Sequence, residues 1–184
     1  MIELLQISRG GSGGVTGAKI LAEAALYEGV ESQAIPKYGS ERRGAAVEAY
    51  VRFDEKPIRI HSPVVEPDIA MVLDTSLIDR LDLSKIKQEG IIIINSKEIP
   101  KAFKGTNRKI AYVDATAISL NLGLVAGGFT LVNTTMLGAF AKATGLVSIE
   151  NIIKGIEHTL NPRIAPKNVE ATKKAFEETK VVTV

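Results

Sequence analysis

The sequence predicts an α/β fold: a single domain over residues 1–184, with a mixed β-sheet of about six or seven strands, flanking helices and one antiparallel hairpin. Three observations support this class. Short, continuous apolar runs recur along the chain, as the buried strands of α/β proteins require. Segments with apolar residues at helical spacing lie between many of these runs. The length of 184 residues suits one ordinary domain.

The chain opens with a strand, a glycine-rich turn and a helix. Residues 2–7 form a short apolar run without a helical stripe, which predicts a buried strand. Residues 8–14 follow as the glycine-rich turn. Residues 16–28 place apolar side chains on one helical face, and Gly29 is a suitable residue to end that helix.

The next segments predict the antiparallel hairpin. Residues 31–35 are compatible with a second strand, which Pro36 would end. Apolar and polar residues alternate over residues 47–53, and they alternate again over residues 57–61 after a polar turn. We therefore expect these last two segments to pair as neighbouring strands.

Continuous apolar runs in the second half predict strands at residues 69–73, 91–94 and 110–113. Asp74 and Asp114 each follow such a run, so capping the next helix is the favoured role for both side chains. Either carboxylate could instead line a crevice at the strand ends, where α/β proteins bind ligands. Helices or helical turns are predicted at residues 75–81, 84–88, 115–123, 134–144, 149–160 and 167–179.

Composition excludes several classes of function. Lys and Arg number 23 against 21 Asp and Glu, and the net charge of +2 does not indicate a nucleic-acid surface. The absence of cysteine excludes a disulfide, a thiolate nucleophile, a cysteine-based zinc site and an iron–sulfur cluster on this chain. No apolar run approaches the roughly 18 residues that span a bilayer, and the first residues lack a basic signal region, so we expect a cytoplasmic protein.

The glycine-rich turn does not match either common nucleotide-binding pattern. The dinucleotide pattern fits Gly11 and Gly13, but Thr16 stands where its third glycine belongs, and no acidic residue ends the next predicted strand. The P-loop pattern fails as well, because Ala18 and Ile20 flank Lys19 in the register that starts at Gly13. The glycines could serve only a tight turn, or they could bind an anion, and the adjacent Arg9 favours the second interpretation.

A second polar segment, residues 37–44, contains the adjacent pair Arg42 and Arg43. Composition alone favours a solvated loop for this segment. A loop that docks a partner or grips a ligand is the alternative, because paired guanidinium groups recognise anions.

Taken together, the two loops resemble a known family. Arg9-Gly10-Gly11-Ser12-Gly13 and the following Ala18-Lys19-Ile20-Leu21-Ala22-Glu23-Ala24-Ala25 resemble the G-R-G-G-Q-G and K-x-L-A-E-A-A segments of the gamma subunit of 2-oxoacid:ferredoxin oxidoreductases, of the pyruvate and 2-oxoisovalerate type. Three later segments continue the resemblance, namely Tyr38-Gly39-Ser40-Glu41-Arg42-Arg43-Gly44-Ala45, Val113-Asp114-Ala115-Thr116 and Asn133-Thr134-Thr135-Met136-Leu137-Gly138-Ala139. The departures are Ser8 for the first glycine and Ser12 for the glutamine.

The resemblance implies a role inside an enzyme complex. Such enzymes convert a 2-oxoacid, coenzyme A and oxidised ferredoxin to an acyl-CoA, carbon dioxide and reduced ferredoxin. Thiamine diphosphate, magnesium and iron–sulfur clusters would lie on alpha, beta and delta-type partner subunits, and ferredoxin would interact only indirectly with this chain. The gamma chain itself would hold none of these cofactors, would not be catalytic alone, and could form a homodimer when isolated.

The resemblance also assigns candidate site residues. Arg9, Gly10, Gly11, Ser12, Gly13, Arg42 and Arg43 are expected on loops that face coenzyme A or partner subunits. No catalytic residue, metal ligand, nucleic-acid surface or membrane segment is expected. Two alternatives remain open, a stand-alone nucleotide-binding oxidoreductase and a binding module without catalysis. The sequence does not reveal which 2-oxoacid the complex would use.

Overall fold

The computed structural model describes residues 1–37, 44–60 and 62–184. Within these residues, seven strands form one mixed sheet and two further strands form a separate hairpin. The strands are β1 (Ile2–Arg9), β2 (Glu31–Lys37), β3 (Ala46–Asp54), β4 (Ile69–Val72), β5 (Ile91–Asn95), β6 (Lys109–Val113), β7 (Val125–Ala126), β8 (Phe129–Thr130) and β9 (Lys180–Thr183). The helices are α1 (Gly14–Tyr27), α2 (Ala115–Asn121), α3 (Asn133–Thr144), α4 (Ile149–Thr159) and α5 (Ala165–Glu178).

The first strand lies in the middle of the sheet, whose order is β2-β3-β1-β4-β5-β6-β9. β1 pairs antiparallel with β3, where Leu4 faces Val51, and parallel with β4, where Ile7 faces Val72. The chain leaves β1 through α1 towards β2 and β3 on one side and then returns to β4 on the other. This reversal is a topological switch point, which is where open α/β sheets bind ligands.

The two faces of the sheet are covered differently. The main apolar core joins one face to α1, α3, α4 and α5, and it includes the stacked rings of Phe53 and Phe140, whose centroids are 5.9 Å apart. A second, smaller core covers part of the other face with short 3₁₀ turns at Thr75–Arg80, Leu83–Lys85 and Lys101–Phe103. We call this thinly covered side the open face.

Helices on the covered face approach one another closely. Gly138 of α3 lies against α5, and a Cβ atom built on it would stand 2.0 Å from the carbonyl oxygen of Thr172. Only glycine permits this separation of the two helices. The hydroxyl of Thr172 also donates to the carbonyl of Thr134 at 3.0 Å, which links α5 to α3 a second time.

Most of the predicted elements are present and the fold class is confirmed, but the predicted pairing of residues 47–53 with 57–61 is wrong. Residues 57–60 form no strand, and His61 lies outside the described residues. The reason is that both edges of β3 are already paired, one with β1 and the other with β2. The sequence prediction also missed β9 and the β7–β8 hairpin, and the two helical segments predicted near residues 75–88 are shorter 3₁₀ turns.

A buried arginine holds the segment after β3. We call residues 57–60 and 62–67 the strap. The guanidinium of Arg52 is only 1% exposed; it pairs with Glu3 at 2.8 Å and donates to the strap carbonyls of Ile60 at 2.9 Å and Ser62 at 2.6 Å. The strap is therefore fastened across the open face beside β1 and β3.

Candidate functional site

A crevice of about 260 Å³ lies at the carboxyl ends of the parallel strands, beside the switch point. Its wall combines the end of β1, the residues that follow β4, the end of β5 and the β7–β8 hairpin. The lining residues are Arg9, Ser12, Leu73, Asp74, Thr75, Asn95, Thr116, Gly128, Phe129, Thr130 and Val132. We call this site the crevice.

The glycine loop, residues 10–14, forms one border of the crevice. Gly11 and Gly13 adopt left-handed backbone angles, with φ of 89° and 82°, which glycine accepts without strain. Ser12 folds back on the turn, because its amide and its hydroxyl both donate to the carbonyl of Arg9, at 3.0 Å and 2.7 Å. No hydrogen bond inside the described part of the chain satisfies the N–H groups of Gly11 and Gly13.

The loop is wedged between β1 and α3. A Cβ atom on Gly14 would stand 2.1 Å from the hydroxyl oxygen of Ser8, and one on Gly13 would stand 2.7 Å from Nδ2 of Asn133. That Asn133 nitrogen donates to the Gly13 carbonyl at 3.0 Å, and Nε2 of Gln6 donates to the Gly14 carbonyl at 2.7 Å. Close packing therefore accounts for Gly13 and Gly14, and it fixes the position of the loop.

Arg9 is fixed from three directions. Its guanidinium forms an ion pair with Asp74, donates to the carbonyl of Gly44 at 2.8 Å and donates to the hydroxyl of Ser76. Burial of the Asp74 carboxyl acts to raise its pKa, but hydrogen bonds from Ser76 and Arg9 outweigh burial and hold the pKa below its ordinary value. The pair is thus ionised at neutral pH and adds no net charge to the crevice.

The glycine loop is also joined to the end of the segment that contains Arg42 and Arg43. Gly10 donates its amide to the carbonyl of Ala45 at 2.8 Å, and Gly44 donates its amide to the carbonyl of Gly10 at 3.0 Å. Residues 38–43 lie outside the described residues. Gly44 nevertheless shows where that segment rejoins the sheet, directly beside the glycine loop.

Asn95, at the end of β5, links the residue after β4 to the first turn of α2 on the floor of the crevice. Its amide nitrogen donates to the carbonyl of Leu73 and to the hydroxyl of Thr116, both at 2.9 Å, and its oxygen accepts from the amide of Thr116 at 3.2 Å. The sequence prediction missed this residue. The available signal was a lone amide at the end of the apolar run Ile91–Asn95.

The structure brings together some of the predicted site residues. Arg9 and Ser12 line the crevice, and Gly10, Gly11 and Gly13 form the loop beside it, whereas Arg42 and Arg43 fall outside the described residues. The capping roles are confirmed: Asp74 accepts from the amide of Ser76 at 2.9 Å, and Asp114 accepts from that of Ala117 at 2.9 Å. Asp74 lines the crevice as well.

Within residues 1–37, 44–60 and 62–184, no helix combines the length and the apolar character that a membrane span requires. The same residues contain no cluster of three or more His, Cys, Asp or Glu side chains placed to hold a metal ion.

Comparisons with known proteins agree on one family. The family model described as pyruvate ferredoxin/flavodoxin oxidoreductase matches residues 3–178. The pyruvate/ketoisovalerate oxidoreductases common subunit gamma of Pyrococcus furiosus is similar, with 47% identity over 98% of each chain. The pyruvate synthase subunit PorC of Methanothermobacter marburgensis has 46% identity, also over 98% of each chain.

A solved structure shows the same fold. Pyruvate oxidoreductase subunit PORC (EC 1.2.7.1) of Thermotoga maritima superposes with a TM-score of 0.81 and 32% sequence identity. The match covers 98% of this chain and 97% of that one. The similarity of fold therefore extends over nearly the whole of both chains.

Proposed function

The chain belongs to the pyruvate ferredoxin/flavodoxin oxidoreductase family, and on that premise we propose that it is the gamma subunit of a multi-subunit 2-oxoacid:ferredoxin oxidoreductase. The complex would convert a 2-oxoacid, coenzyme A and oxidised ferredoxin to an acyl-CoA, carbon dioxide and reduced ferredoxin. One observation carries this proposal. Gamma-type subunits of such enzymes match this chain from end to end at 46–47% identity.

The cofactors of the reaction would be held by partner subunits of the alpha, beta and delta types. An iron–sulfur cluster needs thiolate ligands, and the chain has no cysteine. Thiamine diphosphate with magnesium would supply the carbanion chemistry on another subunit. The role left for this chain is structural, and it includes shaping the path by which coenzyme A reaches the complex.

The crevice is suited to hold one end of coenzyme A. Its volume of about 260 Å³ lies below the roughly 300–1,000 Å³ typical of sites that enclose a whole small molecule. Apolar Leu73 and Val132 line it beside polar Ser12 and Thr116, which suits a chain with alternating methylene and amide groups. The N–H groups of Gly11 and Gly13, which no other described residue satisfies, add donors at its border.

The phosphates of coenzyme A need positive charge, and Arg9 is neutralised by Asp74. We assign this task to Arg42 and Arg43. The hydrogen bonds between Gly10, Gly44 and Ala45 support the assignment, because the segment with both arginines ends beside the crevice. Guanidinium groups bind phosphate through paired, charge-assisted hydrogen bonds.

The subunit assignment can be tested by anaerobic purification of the tagged chain from its native cells. We expect larger, iron-containing partners to co-purify. The eluate should reduce ferredoxin or a dye only when coenzyme A and a 2-oxoacid are present. Pyruvate, 2-oxoisovalerate and 2-oxoglutarate should be compared as substrates. A chain that elutes alone, without iron or activity, would contradict the assignment.

The coenzyme A assignment needs a separate test. Replacing Arg42 and Arg43 together by alanine should raise the KM for coenzyme A and leave the KM for the 2-oxoacid unchanged. The matched control replaces Lys101 and Lys104, two exposed cations on another turn, and so removes the same charge elsewhere. If the two double variants had the same KM for coenzyme A, the role of the arginine pair would be refuted.

A further inference from the structure

A second cavity lies away from the crevice, on the open face. It is a groove of about 650 Å³ between the β2–β3 end of the sheet, the strap and the 3₁₀ turns that follow β4. Leu5, Ile35 and Tyr50 form its floor, and Val64 and Ile86 form its walls. We call this cavity the groove.

Among the described residues, no α-helix covers the open face at this end of the sheet, which leaves the groove accessible. Elsewhere on that face the 3₁₀ turns bury apolar side chains such as Leu77 and Phe103 against β4, β5 and β6. Over β2 and β3, the described residues that approach the sheet from this side belong to the strap and to the 3₁₀ turns around Arg80–Ile86. Val65 of the strap remains 69% exposed at the rim of the groove, and Ile60 remains 45% exposed nearby. This end of the sheet is antiparallel, an arrangement that commonly leaves one face accessible, and apolar side chains of the described residues stay accessible there.

The charges around the groove define what could cover it. They come from Lys37, Glu48, Arg80, Asp82 and Lys85. Lys37 pairs with Glu48 at 2.7 Å, and Lys85 pairs with Asp82 at 3.4 Å. Tyr50 donates to the same Glu48 carboxylate at 2.8 Å. Among the described residues Arg80 forms no ion pair, so the groove presents an apolar floor with one uncompensated positive charge.

We propose that the groove docks a segment of a partner subunit that carries apolar side chains and a carboxylate group opposite Arg80. This inference rests on the proposed function, since it takes the partner subunits of the oxidoreductase as the occupants. Apolar side chains would fill the cavity between Ile35, Val64 and Ile86, and the carboxylate would pair with Arg80 at the edge. Aromatic, apolar and arginine side chains of this kind carry most of the binding energy in protein interfaces.

A photo-crosslinking experiment on the complete complex tests the occupant directly. The photoreactive residue p-benzoylphenylalanine replaces Val65 in the chain co-expressed with its partner subunits. The matched control carries the same residue in place of Ile164, which is 50% exposed at the start of α5. We expect irradiation to join position 65 to a partner subunit, at a segment with apolar and acidic residues.

Affinity measurements on the same complex give a second readout. Val65→Arg and Arg80→Glu should each weaken binding of the chain to its partner subunits by at least about tenfold. Arg80→Lys, which keeps the charge, and Ile164→Arg, which adds a charge elsewhere, should bind within about threefold of the wild type. Thermal unfolding of each isolated variant shows whether the fold is intact, and both groove changes are made at exposed side chains.

Each outcome has a defined meaning. Crosslinks between two copies of this chain, with dimerisation lost in the Val65→Arg variant, would overturn the proposal in favour of self-association. Full affinity of both groove variants, with no crosslink at position 65, would overturn it outright while leaving the subunit assignment in place. Failure of the wild-type chain to bind any partner subunit would instead overturn the proposed function, and the docking proposal with it.

Discussion

Replacing Gly14 by alanine tests whether close packing fixes the glycine loop beside the crevice. The added Cβ atom would stand 2.1 Å from Oγ of Ser8 and 2.6 Å from Cβ of Ser8. Ordinary contacts between such atoms are about 3.5–4.0 Å. Rotation of the hydroxyl could relieve the first clash but not the second, because the position of Cβ is set by the backbone of β1. The start of α1 must therefore move away from β1.

The expected cost follows from these distances. Inserting a methyl group into a packed site typically costs about 1–3 kcal/mol, and alanine regains up to about 1 kcal/mol through its higher helix propensity. The contacts of 2.1 Å and 2.6 Å place this insertion at the upper end of that range, so we expect the Gly14→Ala variant to lose about 2 kcal/mol of unfolding free energy after the gain in helix propensity. Ser8→Gly removes both clashing atoms and should alone cost about 1 kcal/mol, since glycine weakens a strand.

The double variant separates steric conflict from other causes. Independent effects would add to about 3 kcal/mol, whereas relief of the clash should leave only about 1 kcal/mol. Urea unfolding of the wild type and the three variants, with equal m-values, measures this difference. A double variant that shows the full additive loss would refute the packing explanation. So would a Gly14→Ala variant as stable as the wild type.

Three further outcomes can be measured by the same method. Arg52→Met should lose about 3–5 kcal/mol of unfolding free energy, because the change leaves Glu3 and two strap carbonyls without their buried partner. A loss under about 1 kcal/mol would contradict this prediction. Because the pKa of Asp74 is lowered in the folded state, the unfolded chain takes up the proton first as pH falls, and stability is lost progressively below about pH 5. Asp74→Asn should therefore show a shallower decline in stability between pH values of about 5 and 3. Gly138→Ala should lose at least about 3 kcal/mol, since its Cβ atom would meet the backbone of Thr172, and a neutral result would show that α3 and α5 separate freely.

The sequence was sufficient for the parts of the fold that local pattern determines. Continuous apolar runs identified the parallel strands β4, β5 and β6, because strands buried on both faces need no polar alternation. Asp74 and Asp114 were correctly expected as caps, because an acidic residue before a helical segment has few competing uses.

Features that depend on pairing between distant segments could not be predicted from the sequence. Alternation over residues 57–61 is typical of a strand, but the edges of β3 were already occupied by two other strands. The short strand β9 is defined by its pairing with β6, about 70 residues earlier in the chain, and its own pattern is too brief to indicate it. The place of Arg52 in the alternating pattern of residues 47–53 predicts an exposed side chain, yet the strap covers it.

The candidate site was predicted only in part for the same reason. The glycine loop could be located because its residues are adjacent in the sequence. Asn95, Thr116 and the β7–β8 hairpin reach the crevice from separate segments, and no local signal links them. The resemblance of the whole chain to gamma subunits supplied what spacing alone did not, namely the kind of enzyme.

The central place of β1 has a consequence for hydrogen exchange. Both edges of this strand are paired, so its amide protons should exchange with solvent only when the whole domain unfolds. The β7–β8 hairpin on the opposite side of the crevice pairs with no other strand among the described residues, so pairing within the main sheet does not protect its amide protons. Deuterium uptake at residues 125–130, compared with that of β1, would show whether this wall of the crevice exchanges more readily than the central strand.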